Sequence, residues 1–201
     1  MSEKTMDLRY NVFAWREAQQ VSVKFLLAVA FAGITGLLAG IRIPLPFTPV
    51  PITGQVFGVL LSSICLGSVF GGISQILYIA IGLCGVPWFS GWKAMSFYQF
   101  LSSPTTGYLM GFIIAGFFLG SFADKKTKNR YFWPQMAAMF SANIIILVSG
   151  TIYLAFLFKL SIAKAFMLGF VPFVLVDIFK AFLAAGVSAA ILPKIPYGTE
   201  K

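Results

Sequence analysis

Apolar runs of membrane-spanning length recur along this chain, separated by short segments rich in proline, glycine or charged residues. The first run extends from about Val21 to Ile41, and ~20 residues are enough to cross the hydrocarbon core of a bilayer as a helix. Charged residues make up 10% of the sequence, whereas a soluble domain contains about 25%. We therefore predict an all-α integral membrane protein.

Six transmembrane helices are predicted from the residues that separate the apolar runs. A proline cluster between positions 44 and 51 divides the first two helices, because proline disrupts a helix interior. Gly67-Ser68 is a tight connection between the second and third, and Pro172 marks the start of the last. Ser161 to Val171 is expected to form an apolar cap or a re-entrant piece. The predicted transmembrane domain, 21–192, contains the spans 21–41, 52–66, 68–84, 104–123, 134–158 and 172–192.

The distribution of basic residues predicts the orientation of these helices. With six spans, the N-terminal segment 1–20, the tail 193–201 and the connection between the fourth and fifth spans share one side, which carries most of the 15 lysines and arginines. The other side carries Arg42, Lys93, Lys159 and Lys164. The positive-inside rule therefore predicts a protein of the plasma membrane with both termini in the cytoplasm. Because the basic residues lie between apolar runs, we expect the lipid bilayer, and not nucleic acid, to be the partner of this positive charge.

Asp177 and Lys180 lie inside the last apolar run. Residues three positions apart share a helix face, so the two side chains are neighbours. A charge in hydrocarbon costs roughly 2.5–3.5 kcal/mol on insertion scales, so such residues usually mark a functional site. The last helix starts near Pro172, which places the pair in its outward third. We interpret the pair as a binding site that is accessible from outside, with a self-neutralising ion pair as the alternative.

Four further residues are candidates for the same site. Lys93 supplies a second outward cation in an aromatic loop that also contains Ser90. Gln55, early in the second span, offers an amide, and Tyr108, at the outer start of the fourth, offers a hydroxyl. Each of three has an alternative role: Lys93 as a solvated loop lysine, Gln55 as a helix–helix contact, and Tyr108 as an interfacial aromatic residue. The loop aromatic residues are candidates for an apolar pocket wall or for interfacial anchors: Trp88, Phe89, Trp92, Phe97 and Tyr98.

Small residues four positions apart predict close contacts between helices in lipid. Such pairs occur at Ala28/Ala32, Gly36/Gly40, Gly67/Gly71, Gly107/Gly111 and Gly116/Gly120. Ordinary packing within the helical bundle is the simplest interpretation of each pair.

Several function classes lack the motifs that they require. Neither G-x-x-x-x-G-K-[ST] nor G-x-G-x-x-G occurs, so the chain is not expected to hydrolyse ATP itself. Histidine is absent, and Asp177 is the one acidic residue within a predicted span, so no catalytic residues, metal site or cofactor are predicted. The sequence thus favours ligand binding over catalysis.

Several motifs, in order, resemble the BioY family, the biotin-specific substrate-binding S components of energy-coupling factor (ECF) transporters. The resemblance covers about Ala28 to Leu183. It rests on Ile43-Pro44-Leu45-Pro46, Pro49-Val50-Pro51-Ile52-Thr53-Gly54-Gln55, Gly85-Val86-Pro87-Trp88-Phe89-Ser90-Gly91, Pro104-Thr105-Thr106-Gly107-Tyr108, Gly150-Thr151-Ile152-Tyr153-Leu154 and Gly169-Phe170-Val171-Pro172-Phe173 with Asp177-Ile178-Phe179-Lys180.

This resemblance implies a six-helix S-component bundle that binds biotin on its outward side. Asp177 and Lys180 would contact the vitamin, with Lys93 standing where the family favours arginine. Ala28 and Ala32 match the small-residue patch through which S components dock on a transmembrane coupling subunit, which in turn works with cytoplasmic ATPases. The alternatives are a solitary biotin carrier coupled to protons through Asp177, an S component for another vitamin, and a structural protein in which the ion pair only holds helices together.

Overall fold

The structure, a computed structural model, describes residues 3–196, with side chains from residue 8 onward. Residues 197–201 of the predicted cytoplasmic tail lie outside this range. The elements are α1 (Glu3–Ala18), α2 (Val21–Leu38), β1 (Arg42–Ile43), β2 (Ile52–Thr53), α3 (Gln55–Leu83), α4 (Phe97–Leu101), α5 (Thr106–Lys125), a 3-10 turn (Thr127–Arg130), α6 (Phe132–Phe158), α7 (Ile162–Gly169) and α8 (Val171–Ile191).

Five of these helices, α2, α3, α5, α6 and α8, are long and apolar enough to cross a membrane. The predicted count of six differs because the second and third predicted spans are continuous in α3. Within α3, however, the backbone is non-helical at Gly67, with φ 81° and ψ −171°. The Gln55 side chain lies 2.6 Å from the Tyr78 hydroxyl, whereas 23 residues of straight helix would separate them by about 34 Å. Helix α3 is therefore an antiparallel hairpin whose two arms, 55–66 and 68–83, correspond to the two predicted spans.

The hairpin turn is held by charged groups at the end that we predict to be cytoplasmic. Asp124, at the end of α5, accepts a hydrogen bond from the Ser68 amide at 2.8 Å. Arg16 of α1 donates to the Cys65 carbonyl at 3.0 Å and lies 3.6 Å from the Asp124 carboxylate. A Cβ atom at Gly67 would lie 2.5 Å from that carboxylate. Both the positive φ and the contact with Asp124 thus require glycine at this turn.

Glycine allows the close contacts between helices that the four-residue spacing predicts. A Cβ atom on Gly116 would lie 3.0 Å from the Gly71 carbonyl, and one on Gly120 would overlap the carbonyl of Gly67. A Cβ atom on Gly111 would lie 2.9 Å from the Cα atom of Ile146 in α6. The predicted helix contacts at these glycines are confirmed. They bring α5 against the turn and the second arm of α3 and against α6.

Three elements differ from the sequence-based expectation. The predicted N-terminal segment contains helix α1, and the region expected to be a cap or re-entrant piece contains the eight-residue helix α7. The proline-rich segment after α2 contains a short antiparallel ribbon in which Arg42 pairs with Thr53. Elsewhere the ends of the helices lie within about three residues of the predicted spans, and α8 begins at Val171 with Pro172 in its first turn.

Candidate functional site

An inner pocket of about 470 Å³ lies between α3, α5, α6 and α8 and is closed on one side by β2. Four of the predicted site residues line it: Asp177, Lys180, Gln55 and Tyr108. Apolar side chains form most of the remaining wall: Val50, Ile52, Val56, Leu109, Phe112, Ile146, Leu147 and Phe173.

Asp177 and Lys180 form an ion pair at the wall of this pocket. The Lys180 ammonium donates to the Asp177 carboxylate at 3.0 Å, and the exposed fractions of the two side chains are 13% and 6%. Among the described residues, no other side chain hydrogen-bonds the Asp177 carboxylate. A carboxylate can accept about four hydrogen bonds, so Asp177 retains acceptor capacity toward the pocket.

Gln55 is held by a chain of hydrogen bonds that links the two arms of α3 to the loop after them. The Thr53 hydroxyl donates to the Gln55 side-chain oxygen at 2.8 Å, and the Gln55 amide donates to the Tyr78 hydroxyl at 2.6 Å. The Tyr78 hydroxyl in turn donates to the Trp88 carbonyl at 2.9 Å. One amide N–H of Gln55 is free of these bonds, so the side chain presents a pre-oriented donor at the pocket wall.

Tyr108 connects α5 to the junction between α7 and α8. Its hydroxyl donates to the Gly169 carbonyl at 2.6 Å, and its ring lies against Gly150, where a Cβ atom would overlap it. The ring also lines the inner pocket beside Phe173. Because the hydroxyl proton is already used, Tyr108 can offer a ligand its ring face and an acceptor lone pair, but not a donor.

Lys93 and Ser90 do not join the other four residues. They line an outer chamber, an open depression of about 810 Å³ that also contains Arg42, Gln99 and Met95. The two cavities are neighbours, because Pro51 and Thr105 line both of them. The predicted site is therefore divided into an inner pocket within the bundle and an outer chamber between the β-ribbon and the loop after α3.

None of the five loop aromatic residues lines the inner pocket or the outer chamber, so their interpretation as a pocket wall is wrong for these two cavities. Phe89 is fully buried, and Trp88 packs on Gly36, where a Cβ atom would lie 2.8 Å from the indole. Trp92 contacts Gly40 in the same way. Gly36 and Gly40, at the end of α2 and just after it, thus accommodate two tryptophans of the loop and not a second helix. Phe97 and Tyr98 are exposed.

Ala28 and Ala32 are both fully buried. Their methyl groups do not reach the surface, so the predicted docking contact through them cannot form in this structure without a movement of α2. The exposed face of α2 instead contains Leu26, Ala30, Gly33 and Leu37. A Cβ atom on Gly33 would have no neighbour within 4 Å, so the backbone is accessible there.

Three polar residues in or beside the site were not predicted from the sequence. Thr53 orients Gln55, and Arg42 lies in the outer chamber. Asn143 of α6 is buried, and its amide donates to the backbone carbonyl of Asp177 at 2.9 Å, which fixes α8 against α6. An isolated asparagine inside an apolar span was a detectable signal for Asn143. The role of Arg42 depends on how the ribbon meets the loop, which no local pattern reveals.

These observations define a helical membrane protein with a pocket between its spans that is built to hold a small amphipathic ligand. The model of the BioY family matches residues 10–197. A protein of Methanothermobacter thermautotrophicus named probable biotin transporter BioY is 37% identical over 148 residues, which cover 70% of this chain and 92% of that protein. The biotin transporter BioY of Thermotoga maritima is 38% identical over 149 residues, covering 74% of this chain and 85% of the relative. The chain belongs to the BioY family.

A solved structure supports the same fold. The crystal structure of an S component for biotin from an ECF-type ABC transporter matches with a TM-score of 0.76. The match covers 86% of this chain and 93% of that one, at 24% sequence identity. The resemblance to the BioY family that the sequence motifs indicate is confirmed at the level of family and fold. The chain is a membrane protein of a transporter family.

Proposed function

We propose that this chain binds biotin from the outward side of the plasma membrane and delivers it into the cell. The observation that carries the proposal is the inner pocket. It combines a buried carboxylate with unused acceptor capacity, an oriented amide donor and apolar walls in one pocket. Relatives that match most of the chain are named biotin transporters.

Each part of the biotin molecule has a chemical complement among these groups. Its ureido ring has two N–H donors and one carbonyl acceptor, which complement the Asp177 carboxylate and the free N–H of Gln55. Its thiophane ring and alkyl chain suit Phe112, Leu147 and the other apolar side chains, whose burial by the ligand is favourable. Its carboxylate requires a cation, which either cavity contains.

Energy for uptake would come from separate chains. We propose that cytoplasmic ATPases act on this chain through a transmembrane coupling subunit, so that this chain contributes specificity through a difference in affinity between outward and inward states. In this proposal both termini lie in the cytoplasm. The coupling subunit would contact the exposed face of α2 around Ala30 and Gly33, since Ala28 and Ala32 are buried.

A binding measurement on the purified chain tests the proposal. Biotin at one hundred times its dissociation constant should stabilise the protein by ~2.7 kcal/mol, measured as a shift of the thermal unfolding transition. Desthiobiotin keeps the ureido ring and carboxylate and serves as a positive control, whereas riboflavin and thiamine test for other vitamins. Stabilisation by another vitamin but not by biotin would contradict the ligand assignment. Biotin uptake into vesicles that lack any ATPase partner, abolished by a protonophore, would instead indicate a solitary proton-coupled carrier.

A further inference from the structure

We propose that the outer chamber is an anion subsite in which Arg42, together with Lys93, binds the carboxylate of the ligand, while the ring system occupies the inner pocket. This inference rests on the proposed function and extends it to a further binding residue, Arg42. Both cations line the chamber, and its described lining contains no acidic residue.

The charge balance of the two cavities differs. In the inner pocket, the Lys180 ammonium is 3.0 Å from the Asp177 carboxylate, so the pair contributes no net charge. In the outer chamber, neither Arg42 nor Lys93 forms an ion pair with any described residue. A carboxylate therefore gains more from the outer chamber, where two cations are unpaired, than from the inner pocket, where it would compete with Asp177.

Arg42 is positioned by the fold at the edge of this chamber. Its backbone pairs with Thr53 in the β-ribbon, and its side chain crosses the backbone of Gly91, whose φ is +76°. A Cβ atom on Gly91 would lie 3.0 Å from Cδ of Arg42. The Gly91 amide is itself hydrogen-bonded to the Ala39 carbonyl at 2.9 Å, at the end of α2. The loop therefore carries a residue without a side chain at the point where Arg42 passes.

The loop that carries Lys93 is also constrained. Phe89 and Lys93 exchange backbone hydrogen bonds of 3.2 and 3.3 Å across the tight turn that includes Gly91. Phe89 is fully buried, which holds this turn against α3. Between them, Ser90 lines the chamber, and its Oγ atom, which is inaccessible to solvent, lacks a hydrogen-bond partner among the described residues. The hydroxyl is a further donor for an anion.

The connection between the cavities suits a ligand with a rigid polar head and a flexible acidic tail. Pro51 and Thr105 form the boundary, since they line both spaces. A head bound at Asp177 and Gln55 can extend its chain past this boundary toward Arg42 and Lys93. The predicted outward side has one acidic residue, Asp177, against several cations, so its field also attracts an anion before it enters.

The test compares biotin with its methyl ester, which keeps the ring system and removes the charge of the tail. Equilibrium and kinetic binding are measured on the purified full chain and on Arg42→Gln, Arg42→Lys and Lys93→Gln. Lys164→Gln is the matched control, because Lys164 is exposed and lines neither cavity. Arg42 is exposed, so its removal should leave the thermal unfolding transition near that of the unaltered chain.

We expect Arg42→Gln to weaken binding of biotin roughly three- to tenfold, mainly through a slower association rate that loses its dependence on salt. Binding of the methyl ester should change by less than about twofold, Arg42→Lys should retain most of the affinity, and Lys164→Gln should have no effect. Equal effects of Arg42→Gln on acid and ester, or no effect on either, would overturn the anion subsite while leaving biotin binding intact. If the unaltered chain binds neither compound, the proposed function itself fails.

Discussion

The Gln55 amide lies 2.6 Å from the Tyr78 hydroxyl across the interior of the α3 hairpin, 23 positions apart in sequence. The same hydroxyl donates to the Trp88 carbonyl at 2.9 Å. One buried tyrosine therefore links the first arm of the hairpin, the second arm and the following loop. The inner pocket borders the first arm, and the outer chamber borders the loop after the second arm.

Replacing Tyr78 with phenylalanine should both destabilise the protein and weaken ligand binding. The change leaves the Gln55 amide and the Trp88 carbonyl without a partner, at a cost of about 1–3 kcal/mol in the free energy of unfolding. Because Gln55 then loses its orientation, biotin affinity should also fall several-fold. Thermal unfolding and a binding isotherm measure the two effects. Tyr98→Phe is the control, since Tyr98 is exposed, and an equal loss in both variants would contradict the role of the network.

Gly67→Ala should destabilise the hairpin turn more than Gly85→Ala destabilises the end of α3. Both glycines have positive φ, 81° and 105°, so both substitutions carry the same class of backbone strain. A Cβ atom at Gly67 would also lie 2.5 Å from the Asp124 carboxylate, whereas one at Gly85 meets nothing within 4 Å. We expect a difference in unfolding free energy of about 1–3 kcal/mol between the variants. Equal stability would show that the contact with Asp124 does not constrain the turn.

The sequence predicted those features that local chemistry determines. The proline cluster, the Gly67-Ser68 turn and Pro172 marked helix boundaries to within about three residues. The three-residue spacing of Asp177 and Lys180 correctly predicted a shared helix face. Each of these depends on residues that are adjacent along the chain or one helical turn apart.

Features that depend on how helices face one another were not predictable in this way. Most residues of helix α2 are apolar, so hydrophobic periodicity does not distinguish the face toward α3 from the face toward lipid, and it does not reveal that Ala28 and Ala32 are buried. The outer position of Lys93 and the participation of Arg42 arise from the contact between the β-ribbon and the loop after α3. Such contacts join segments that are about 50 residues apart.

The Asp177–Lys180 pair should affect stability and binding differently. Either single change, Asp177→Asn or Lys180→Met, leaves the other member without its buried partner, which costs about 3 kcal/mol of stability. We also expect each to weaken biotin binding more than tenfold, since Asn replaces one carboxylate acceptor with a donor where the ureido N–H groups need acceptors, and Met removes the ammonium donor.

The double variant Asp177→Asn/Lys180→Met separates the two roles. If the pair binds biotin, the double variant should regain most of its stability, because no unpaired charge remains, while its affinity for biotin stays low. Recovery of both stability and affinity would show that the pair only neutralises itself. Affinity like that of the unaltered chain in either single variant would exclude these residues from the site.

Gly33→Leu should impair transport and Ala32→Leu should impair stability, although the two residues are adjacent on α2. Gly33 faces open space, so leucine there should fold normally, bind biotin with unchanged affinity and obstruct a partner that docks on this face. Ala32 is fully buried, so leucine there should overpack the contact with α3 and destabilise the chain by about 1–3 kcal/mol. Biotin binding to purified protein, and biotin uptake by cells that contain the coupling subunit and ATPases, measure the two properties. Uptake that survives Gly33→Leu would place the docking surface elsewhere than the exposed face of α2.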